Sequence, residues 1–420
     1  MSRRALLLLA FCIPLHAEFR AAAVKVDITP RTPQWLLGYG ARQSTGVHDN
    51  LYHRIVVMED GGGPFVLVST DIALFAPSFY DDFSRQLAQE TGIEAQRVWW
   101  MATHTHSAPE LGPAGLPRAF LSNRYTHEPD AAYAAQVTKA LIDGIKEARG
   151  KLAPAMVTVG ASISLANINR RARGGDGKIY LGLNPDGPVD RQLGIIRLER
   201  ADHSPIALIV NYAMHGTVLG PGNLEISGDW PGQVAAYVEQ KFGAPMLVAN
   251  GAAGNIAPIY GIEPDFKSGH MQQFNVLLGD RILAAIQALG PPAADAAIWT
   301  GEKVIETPRK PGLAFPEELA AYSRLSLVRI PVRFLKLGSD TVIWAAPLEL
   351  FCEIALRVRS ASPFPHTFFF GYTNGWLGYL PTKEAFSEGG YETTVTPYTE
   401  QAERDFGDGV IQFVQGMSRH

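Results

Sequence analysis

Residues 97–102 read RVWWMA, and this unbroken apolar run leads directly into Thr103-His104-Thr105-His106. Because an apolar run of this length is typical of a buried strand, we predict a strand that ends just before the two histidines. An earlier run, FVLVST at residues 65–70, predicts a second buried strand, with a helix between the two. Further along the chain the same alternation predicts a helix at 129–149, a strand at 206–213, a helix at 230–242 and a strand at 246–249. Such alternation predicts an α/β protein whose mixed sheets are flanked by helices.

The stretch GPPAA at residues 290–294 is the best candidate for a linker between domains. A helix is predicted before it at 271–289, and further strands are predicted after it near 298–305, 326–335 and 341–345. Because residues that could carry chemistry fall on both sides of this stretch, we predict one composite domain over residues 18–420.

The composition is that of a folded protein. Of 420 residues, 46% are hydrophobic and 19% are charged, which is enough apolar material for a large core and excludes a disordered or fibrous chain. Lys and Arg number 37 against 41 Asp and Glu, so the formal net charge is −4. A mildly acidic chain lacks the basic surface that binds nucleic acid or anionic membranes, and we expect neither partner.

The N-terminus has the pattern of a secretory signal peptide. Arg3 and Arg4 precede an apolar run at residues 5–15, and small residues follow before Glu18. We therefore expect residues 1–17 to be a signal peptide and the mature chain to be secreted or periplasmic. No other stretch is long enough for a transmembrane helix. Removal of this segment would leave Cys352 as the one cysteine, which excludes an intramolecular disulfide and a cysteine-rich zinc site.

Two or three histidines and a carboxylate follow the ends of predicted strands. His104 and His106 follow the strand at 98–102, His215 follows the strand at 206–213, and Glu349 follows WAAP at 344–347 and would open a helix. In an extended chain the first two imidazoles point to the same side. Zinc prefers this donor set, and α/β sheets build their sites at strand C-terminal ends. Taken singly, His215 could cap a loop and Glu349 could be an acid favoured by a helix N-terminus. Taken together, the histidines and the carboxylate predict a metal site.

A series of motifs resembles the neutral/alkaline, non-lysosomal ceramidase family over about residues 22–395. The motifs are AVKVDITP at 23–30, GYG at 38–40, GVHD at 46–49, THTHS at 103–107, Asn169-Arg170, NYAMH at 211–215, SGD at 227–229, PLELF at 347–351, GYLPT at 378–382 and GYE at 390–392. The secreted members of that family carry a further C-terminal β-sandwich domain, and we expect this chain to lack it.

The resemblance implies a zinc-dependent hydrolase of an N-acyl amide such as ceramide. By position, it implies that His104, His215, Glu349 and Tyr379 are the ligands of one Zn²⁺ per chain. A tyrosine beside zinc can ionise because the metal lowers its pKa. By position again, the residues that hydrogen-bond the substrate or transition state are His106, Arg170 and Tyr391.

One departure from the family pattern falls in the amidase box, which supplies a serine in the family. Here the box reads GNIAPI at residues 254–259, so Ala257 stands at the serine position and Asn255 replaces the acid. Alanine has no hydroxyl, which excludes a serine mechanism at this position. Zinc could instead lower the pKa of a water that attacks the carbonyl, with His106, Asp229 or Glu353 handling the proton.

Three functions remain open. The first is a hydrolase of a ceramide-like amide. The second is a zinc hydrolase of a non-lipid ester or amide on the same scaffold, which Ala257 favours. The third is a catalytically silent binding module that retains the zinc pocket. The stretch GAAG at residues 251–254 forms either a tight turn or open room near the metal.

Overall fold

The computed structural model describes residues 18–259, 268–294 and 296–418, with side chains throughout except at residues 268–270. The predicted signal peptide at residues 1–17 lies outside these ranges. Within them, no helix is both long and apolar enough to cross a bilayer.

Strands and helices alternate along the described chain. The strands up to the middle of the chain are β1 (Arg20–Asp27), β2 (Trp35–Leu36), β3 (Arg42–Gln43), β4 (Gly46–Val47), β5 (Tyr52–Glu59), β6 (Pro64–Thr70), β7 (Val98–Ala102), β8 (Ala153–Pro154), β9 (Met156–Ile163), β10 (Asn167–Arg173), β11 (Ile179–Asn184) and β12 (Gln192–Glu199). The later strands are β13 (Pro205–Tyr212), β14 (Glu225–Ile226), β15 (Met246–Asn250), β16 (Ile256–Pro258), β17 (Ile298–Pro308), β18 (Ser323–Arg324), β19 (Leu327–Leu337), β20 (Thr341–Ala345), β21 (Glu349–Leu350), β22 (His366–Phe370) and β23 (Tyr379–Leu380). The α-helices are α1 (Pro77–Thr91), α2 (Leu116–Phe120), α3 (Ala131–Gly150), α4 (Asp229–Phe242), α5 (Ser268–Phe274), α6 (Asp280–Gln287), α7 (Cys352–Ala361), α8 (Lys383–Glu388), α9 (Tyr391–Thr394) and α10 (Ala402–Met417).

Three larger sheets form the centre of the described structure. Their strand orders are β7-β6-β5-β1-β8, β15-β13-β12-β9 and β17-β19-β20-β22, with β18 paired to β19. Each sheet is mixed: β6 and β7, β13 and β15, and β20 and β22 are parallel pairs, whereas the other pairs in these sheets are antiparallel. This confirms the predicted α/β class with mixed sheets.

The three sheets share one apolar core. It combines Leu67 and Trp99 of the first sheet with Ile209 and Leu247 of the second and Phe370 of the third. The outer faces of the sheets are covered by helices, α1 and α3 among them on the first sheet and α4 to α6 on the second. The sheets and helices therefore form stacked layers, because the apolar face of each sheet and helix must be buried against another element.

The stretch predicted as a linker is fixed to the second sheet. Ala293 and Val157 exchange both backbone hydrogen bonds, each at 2.8 Å. Since the strands after this stretch also contribute to the shared core, we propose that residues 18–420 form one composite domain.

Two predicted elements differ from the structure. The helix predicted over 271–289 is interrupted by a π-helical segment at Asn275–Gly279, between α5 and α6. The ring of Tyr237 packs against Gly279, where an added Cβ would lie 2.7 Å from a ring carbon. The second difference concerns Glu349 and is described with the site below.

A buried histidine links the first sheet to α3 and gives a pH-dependent contribution to stability. His53 Nδ1 lies 2.7 Å from Thr70 Oγ1, and its Nε2 lies 3.1 Å from the carbonyl oxygen of Val137. Both contacts suit the neutral imidazole, and burial lowers the pKa of His53 to about 4.

Because the pKa of His53 is depressed in the folded state, its stabilising effect is present above the unfolded pKa near 6.5 and is lost as the pH falls towards 4. We expect the free energy of unfolding to fall by about 3 kcal/mol more between pH 6.5 and pH 4 in the unchanged protein than in His53→Gln. Urea unfolding with a chelator present in both samples measures this difference. Equal losses in the two proteins would contradict it.

Candidate metal centre and active site

The loops that follow β7 and β13 meet through their backbones and bring three histidines together. The amide of His106 donates to the carbonyl oxygen of Gly216 at 2.8 Å, and Thr105 and Gly216 form a parallel bridge. His215 directly precedes this contact. An added Cβ on Gly216 would lie 2.5 Å from the carbonyl oxygen of His104. Only glycine therefore allows the two histidine-bearing loops to approach this closely.

This close approach predicts a large effect of Gly216→Ala. The methyl group would push the loop of His104 away from His215, and we expect zinc content to fall at least about 10-fold because displaced ligands lose metal affinity. Metal analysis after dialysis measures the change. Gly222→Ala is the matched control, since a Cβ there meets nothing within 4 Å. Retention of zinc by Gly216→Ala would show that the loop tolerates the shift.

The sequence spacing predicts an extended backbone between the first two histidines, but the structure differs. His104 has φ 64°, in the left-handed region. His104 Nε2 and His106 Nε2 nevertheless lie 3.2 Å apart, close enough to reach one centre. The rings meet edge to face because the left-handed turn reorients the first one.

Glu349 lies in a short strand and does not open a helix. It begins β21, and its register partner in the parallel strand β23 is Tyr379. The following helix, α7, begins only at Cys352. Residues that face each other in neighbouring strands share a face of the sheet, so this pairing places the carboxylate and the phenol together.

Backbone carbonyls orient two of the imidazoles. His104 Nδ1 lies 2.8 Å from the carbonyl oxygen of Ala73, and His215 Nδ1 lies 3.0 Å from that of Ile256. Each carbonyl can accept only from a protonated Nδ1, which leaves Nε2 unprotonated in the neutral ring. This is the usual arrangement of histidines that bind a metal through Nε2.

Three separations among the four predicted ligands suit zinc. Glu349 Oε2 lies 3.3 Å from His104 Nε2 and 3.0 Å from His215 Nε2, and the Tyr379 hydroxyl lies 3.4 Å from His215 Nε2. Ligand atoms about 2.0–2.1 Å from a tetrahedral zinc lie about 3.4 Å from one another. The donor set and its spacing therefore fit a zinc ion.

Two residues that the sequence reasoning missed hold the Glu349 carboxylate. Trp376 Nε1 donates to Oε1 at 2.8 Å, and the Tyr372 hydroxyl donates to Oε2 at 3.2 Å while its ring stacks on His104. Burial raises the pKa of Glu349, and the neighbouring His104 and His215 lower it well below its usual range. The carboxylate is thus ionised and fixed towards the centre.

His106 differs from the other two histidines. Its Nδ1 is buried and has no hydrogen-bond partner among the described residues. The ring packs on the backbone of Gly38, where a Cβ would clash with it, and contacts Tyr39 edge to face. Burial, and then the charges of His104 and His215, lower its pKa well below the usual range. His106 is therefore a neutral, incompletely bonded imidazole beside the cluster.

Two sets of metal ligands are compatible with these positions. His104, His106 and His215 form a cluster whose ligand atoms lie within 4.8 Å of one another, which could hold an ion. The second set keeps His104 and His215 and has Glu349 and Tyr379 in place of His106. We favour the second set because the outer nitrogen of a ligating histidine is normally hydrogen-bonded, and that of His106 is not.

Arg170 lies against the cluster within a buried network of charges. It donates to His215 Nε2 at 2.9 Å, to the Tyr379 hydroxyl at 3.1 Å and to Glu392 Oε1 at 2.9 Å. The other oxygen of Glu392 accepts from Arg171 at 2.8 Å. Metal binding at His215 would require Arg170 to release that nitrogen. Sequence reasoning selected Arg170 but missed Glu392 and Arg171, since no local pattern signals this pairing.

Tyr379 and Tyr391 lie in edge contact, with ring centroids 5.8 Å apart. Burial and then the negative charge of Glu349 raise the pKa of Tyr379 well above its usual range, so its phenol is neutral until a nearby cation favours the phenolate. Tyr391 begins α9 and is half-buried. Tyr391 thus extends the site from the ligand cluster towards the surface.

The segment at the amidase-box position is a scaffold for the site. Ala257 is buried in β16 and pairs with Ile168, so its side chain lies within a packed sheet. Its neighbour Ile256 supplies the carbonyl that orients His215. The carbonyl oxygen of Asn255 accepts from the amide of Arg170 at 2.9 Å. The backbone of this segment thus positions two candidate site residues, although it carries no hydroxyl.

Asp229 and Glu353, which the sequence offers as possible proton carriers, are engaged elsewhere. The carboxylate of Asp229, the first residue of α4, accepts from the backbone amides of Val218, Leu219 and Trp230, and burial raises its pKa to about 6. Glu353 accepts from the Asn255 side chain at 2.8 Å. Of the three candidates, His106 is the one whose nitrogen contacts a predicted ligand.

The two serines of the family motifs are likewise bonded within their own loops. The Ser227 hydroxyl donates to Asp49, and the Ser107 hydroxyl accepts from Asn223 at 2.9 Å. Neither shows a hydrogen bond to the four predicted ligands.

The stretch GAAG at residues 251–254 serves close packing. An added Cβ on Gly254 would lie 2.6 Å from the carbonyl oxygen of Glu349, and its amide donates to Leu350 at 2.9 Å. The interpretation as a tight turn agrees with the structure, since the amide of Ile256 donates to the carbonyl oxygen of Ala253 at 3.0 Å across a turn. The glycine allows β21 to lie directly on the loop.

The sequence matches the family model described as "Neutral/alkaline non-lysosomal ceramidase, N-terminal" over residues 19–257. It is 27% identical over 230 residues to a neutral ceramidase of Mycobacterium tuberculosis, covering 51% of this chain and 34% of that protein. It is 26% identical over 281 residues to a neutral ceramidase of Pseudomonas aeruginosa, covering 61% of this chain and 40% of that protein. The matches thus span about a third to two fifths of these relatives.

The fold matches solved structures over most of the chain. The crystal structure of the Pseudomonas aeruginosa neutral ceramidase superposes with a TM-score of 0.76 at 17% identity, covering 96% of this chain and 75% of that chain. A structure described as ceramidase complexed with C2 gives a TM-score of 0.77 at the same identity. This likeness confirms the fold. The match to the family model covers more than half of the sequence, and the chain belongs to the neutral/alkaline non-lysosomal ceramidase family.

Proposed function

We propose that this chain is a zinc-dependent amidohydrolase that cleaves an N-acyl amide, with a ceramide-like lipid as the first substrate to test. The observation that carries the proposal is that the Glu349 carboxylate lies 3.0–3.3 Å from two imidazoles and that the Tyr379 phenol lies 3.4 Å from one of them. Family membership supports the choice of an amide bond. A bound zinc ion would polarise the substrate carbonyl and lower the pKa of water.

Backbone groups of this chain orient the proposed zinc ligands. His104, His215, Glu349 and Tyr379 would bind the ion, and the backbone carbonyls behind the two imidazoles keep Nε2 directed at it. The buried surroundings exclude bulk water, which strengthens each electrostatic interaction at the centre.

In the proposed reaction, the oxygen of a water molecule adds to the amide carbonyl carbon and the C–N bond then breaks. His106 takes the proton of the water and returns it to the departing nitrogen, so that a carboxylic acid and an amine result. Arg170 and Tyr391 would donate hydrogen bonds to the carbonyl oxygen as it gains negative charge. Ala257 takes no part, which accords with attack by water rather than by a serine.

We also propose that the protein is exported, on the basis of the signal-like pattern at residues 1–17. Expression with and without these residues, followed by assay of the medium and the periplasm, tests export. Retention of the full-length chain in the cytoplasm would contradict it.

The first experiment is an assay of fatty-acid release from a short-chain ceramide by purified residues 18–420. Zinc-loaded and chelated samples are compared, and metal analysis confirms the loading. We expect release only from the loaded sample. No release by protein that carries a full complement of zinc would reject the ceramidase activity.

A second candidate is the hydrolysis of a non-lipid ester or amide on the same scaffold. Ala257 favours it, because the residue at the position of the family serine has no hydroxyl. A panel of esters and amino-sugar amides distinguishes the two, since turnover of these without turnover of ceramide would select the second. Inertness of zinc-loaded protein towards every compound would instead indicate a binding module.

A further inference from the structure

Most charged groups around the proposed zinc site have partners of opposite sign. Glu392 bridges Arg170 and Arg171, and Glu388 contacts Arg171 as well. Glu349 faces the ligand cluster and would pair with the metal. These groups balance one another, so the remaining charges decide which substrate the site attracts.

Two guanidinium groups beside His106 have no carboxylate partner among the described residues. Arg42 is 8% exposed and donates to the carbonyl oxygens of Asn223 and His106, both at 2.6 Å. Its Nε is buried with no partner in the described part of the chain. Arg42 therefore adds a buried positive charge that two carbonyl dipoles and the ring of Tyr39, 4.7 Å from its guanidinium, stabilise without a carboxylate.

Arg124 is the second such group, and it is half-buried beside Tyr391. It donates to the carbonyl oxygen of Gly38 at 3.1 Å, and its guanidinium lies 5.9 Å from the centroid of the Tyr391 ring. Gly38 packs against His106, and the ring of Tyr391 contacts that of Tyr379. Gly38 thus links Arg124 to His106, the proposed proton carrier, and Tyr391 links it to Tyr379, a proposed zinc ligand.

Two acidic residues act on tyrosines beside these guanidinium groups, but the carboxylate of each is bonded elsewhere. Burial and then the charge of Glu110 raise the pKa of Tyr125, and the Glu110 carboxylate is bonded to His127 at 2.9 Å. Burial and then the charge of Asp229 raise the pKa of Tyr39, and the Asp229 carboxylate accepts from three backbone amides.

Within the described part of the chain, Arg42 and Arg124 therefore form no ion pair, although the protein as a whole has a net charge of −4. A substrate that brought a negative charge to Arg124 would gain a charge-assisted hydrogen bond in a partly desolvated setting.

We propose that the preferred substrate is an anionic amide, with a carboxylate close to the scissile bond, as in an N-acyl amino acid. This inference rests on the proposed amidohydrolase function and narrows its substrate class. Arg124 binds the carboxylate, and Arg42 adds long-range attraction while it holds the loop of His106. A neutral ceramide offers no group for Arg124 and would be the poorer substrate.

Matched amides test this preference in two ways. N-hexanoylglycine and N-hexanoylglycinamide differ only in a carboxylate, and the monobutylamide of succinic acid places the carboxylate on the acyl side. With zinc-loaded protein, we expect kcat/KM at least about 10-fold higher for one or both anionic amides, since a hydrogen bond to a charged group contributes on this scale. In Arg124→Gln this advantage should disappear, so that kcat/KM for the charged and neutral amides lies within about 2-fold of each other. Arg31→Gln, at an exposed arginine, is the control that should keep the advantage.

Calorimetric binding of the same amides to chelated protein separates this inference from the proposed function. Without metal no turnover is expected, yet the anionic amides should bind at least about 10-fold more tightly than the neutral one, and Arg124→Gln should remove the difference. A binding preference without turnover in the loaded protein would support the anionic site and reject the amidohydrolase. Equal binding and equal turnover of charged and neutral amides would overturn the anionic site, and so would an Arg124→Gln variant that folds normally and retains the preference.

Discussion

Purified His104→Gln should contain almost no zinc and should show no metal-dependent amide hydrolysis. His104 Nε2 lies 3.3 Å from Glu349 Oε2, and glutamine cannot place a nitrogen with a free lone pair at this point. Loss of a residue that merely orients a ligand weakens metal binding about 10–100-fold, so loss of the ligand itself should exceed about 100-fold. Metal analysis after dialysis against a weak chelator measures zinc content, and unfolding curves exclude global misfolding.

His106→Gln is the matched variant that distinguishes the two possible ligand sets. If His106 carries the proton, this variant should retain the zinc content of the unchanged protein and lose about 10²–10⁴-fold in kcat, the usual contribution of general acid–base catalysis. If zinc content instead falls as far as in His104→Gln, His106 is a ligand and the set of three histidines is correct. If neither zinc nor kcat changes, the proposed role of His106 is wrong.

Glu392→Gln should be among the most destabilising single substitutions in the chain. Glu392 is fully buried, and its two oxygens accept from Arg170 at 2.9 Å and from Arg171 at 2.8 Å. The neutral amide would leave two buried guanidinium groups without their shared counter-charge. Removal of one member of a buried ion pair typically costs about 3–5 kcal/mol, and we expect a loss of that size in the free energy of unfolding.

The same substitution should also reduce activity, because Glu392 holds Arg170 beside the ligand cluster. We expect kcat to fall about 10²-fold, the effect of losing one donor to a developing oxyanion. Glu388→Gln is the control: Glu388 contacts Arg171 and Arg173 with its side chain 37% exposed, so its loss should cost about 1 kcal/mol or less. A Glu392→Gln variant no less stable than Glu388→Gln would contradict this account of the network.

The fold class and most of the candidate ligands could be predicted from the sequence. Apolar runs such as residues 98–102 are local signals, because a strand buried on both faces excludes polar side chains wherever it lies. His104 and His215 directly follow such runs, so their place at strand ends follows from the chain order alone. The motifs around Glu349 and Tyr379 added two further candidates, which the structure places opposite each other in β21 and β23.

The tertiary structure alone decided how these residues are held. The left-handed backbone of His104, the contact of Gly216 with the histidine loop and the short strand of Glu349 each depend on a partner from another part of the fold. The pairing of Glu392 with Arg170 joins residues 222 positions apart. Periodicity reports which side chains are buried, but it carries no information about which distant segments meet. The packing of the three sheets settles that, and with it the charge balance from which we infer the substrate.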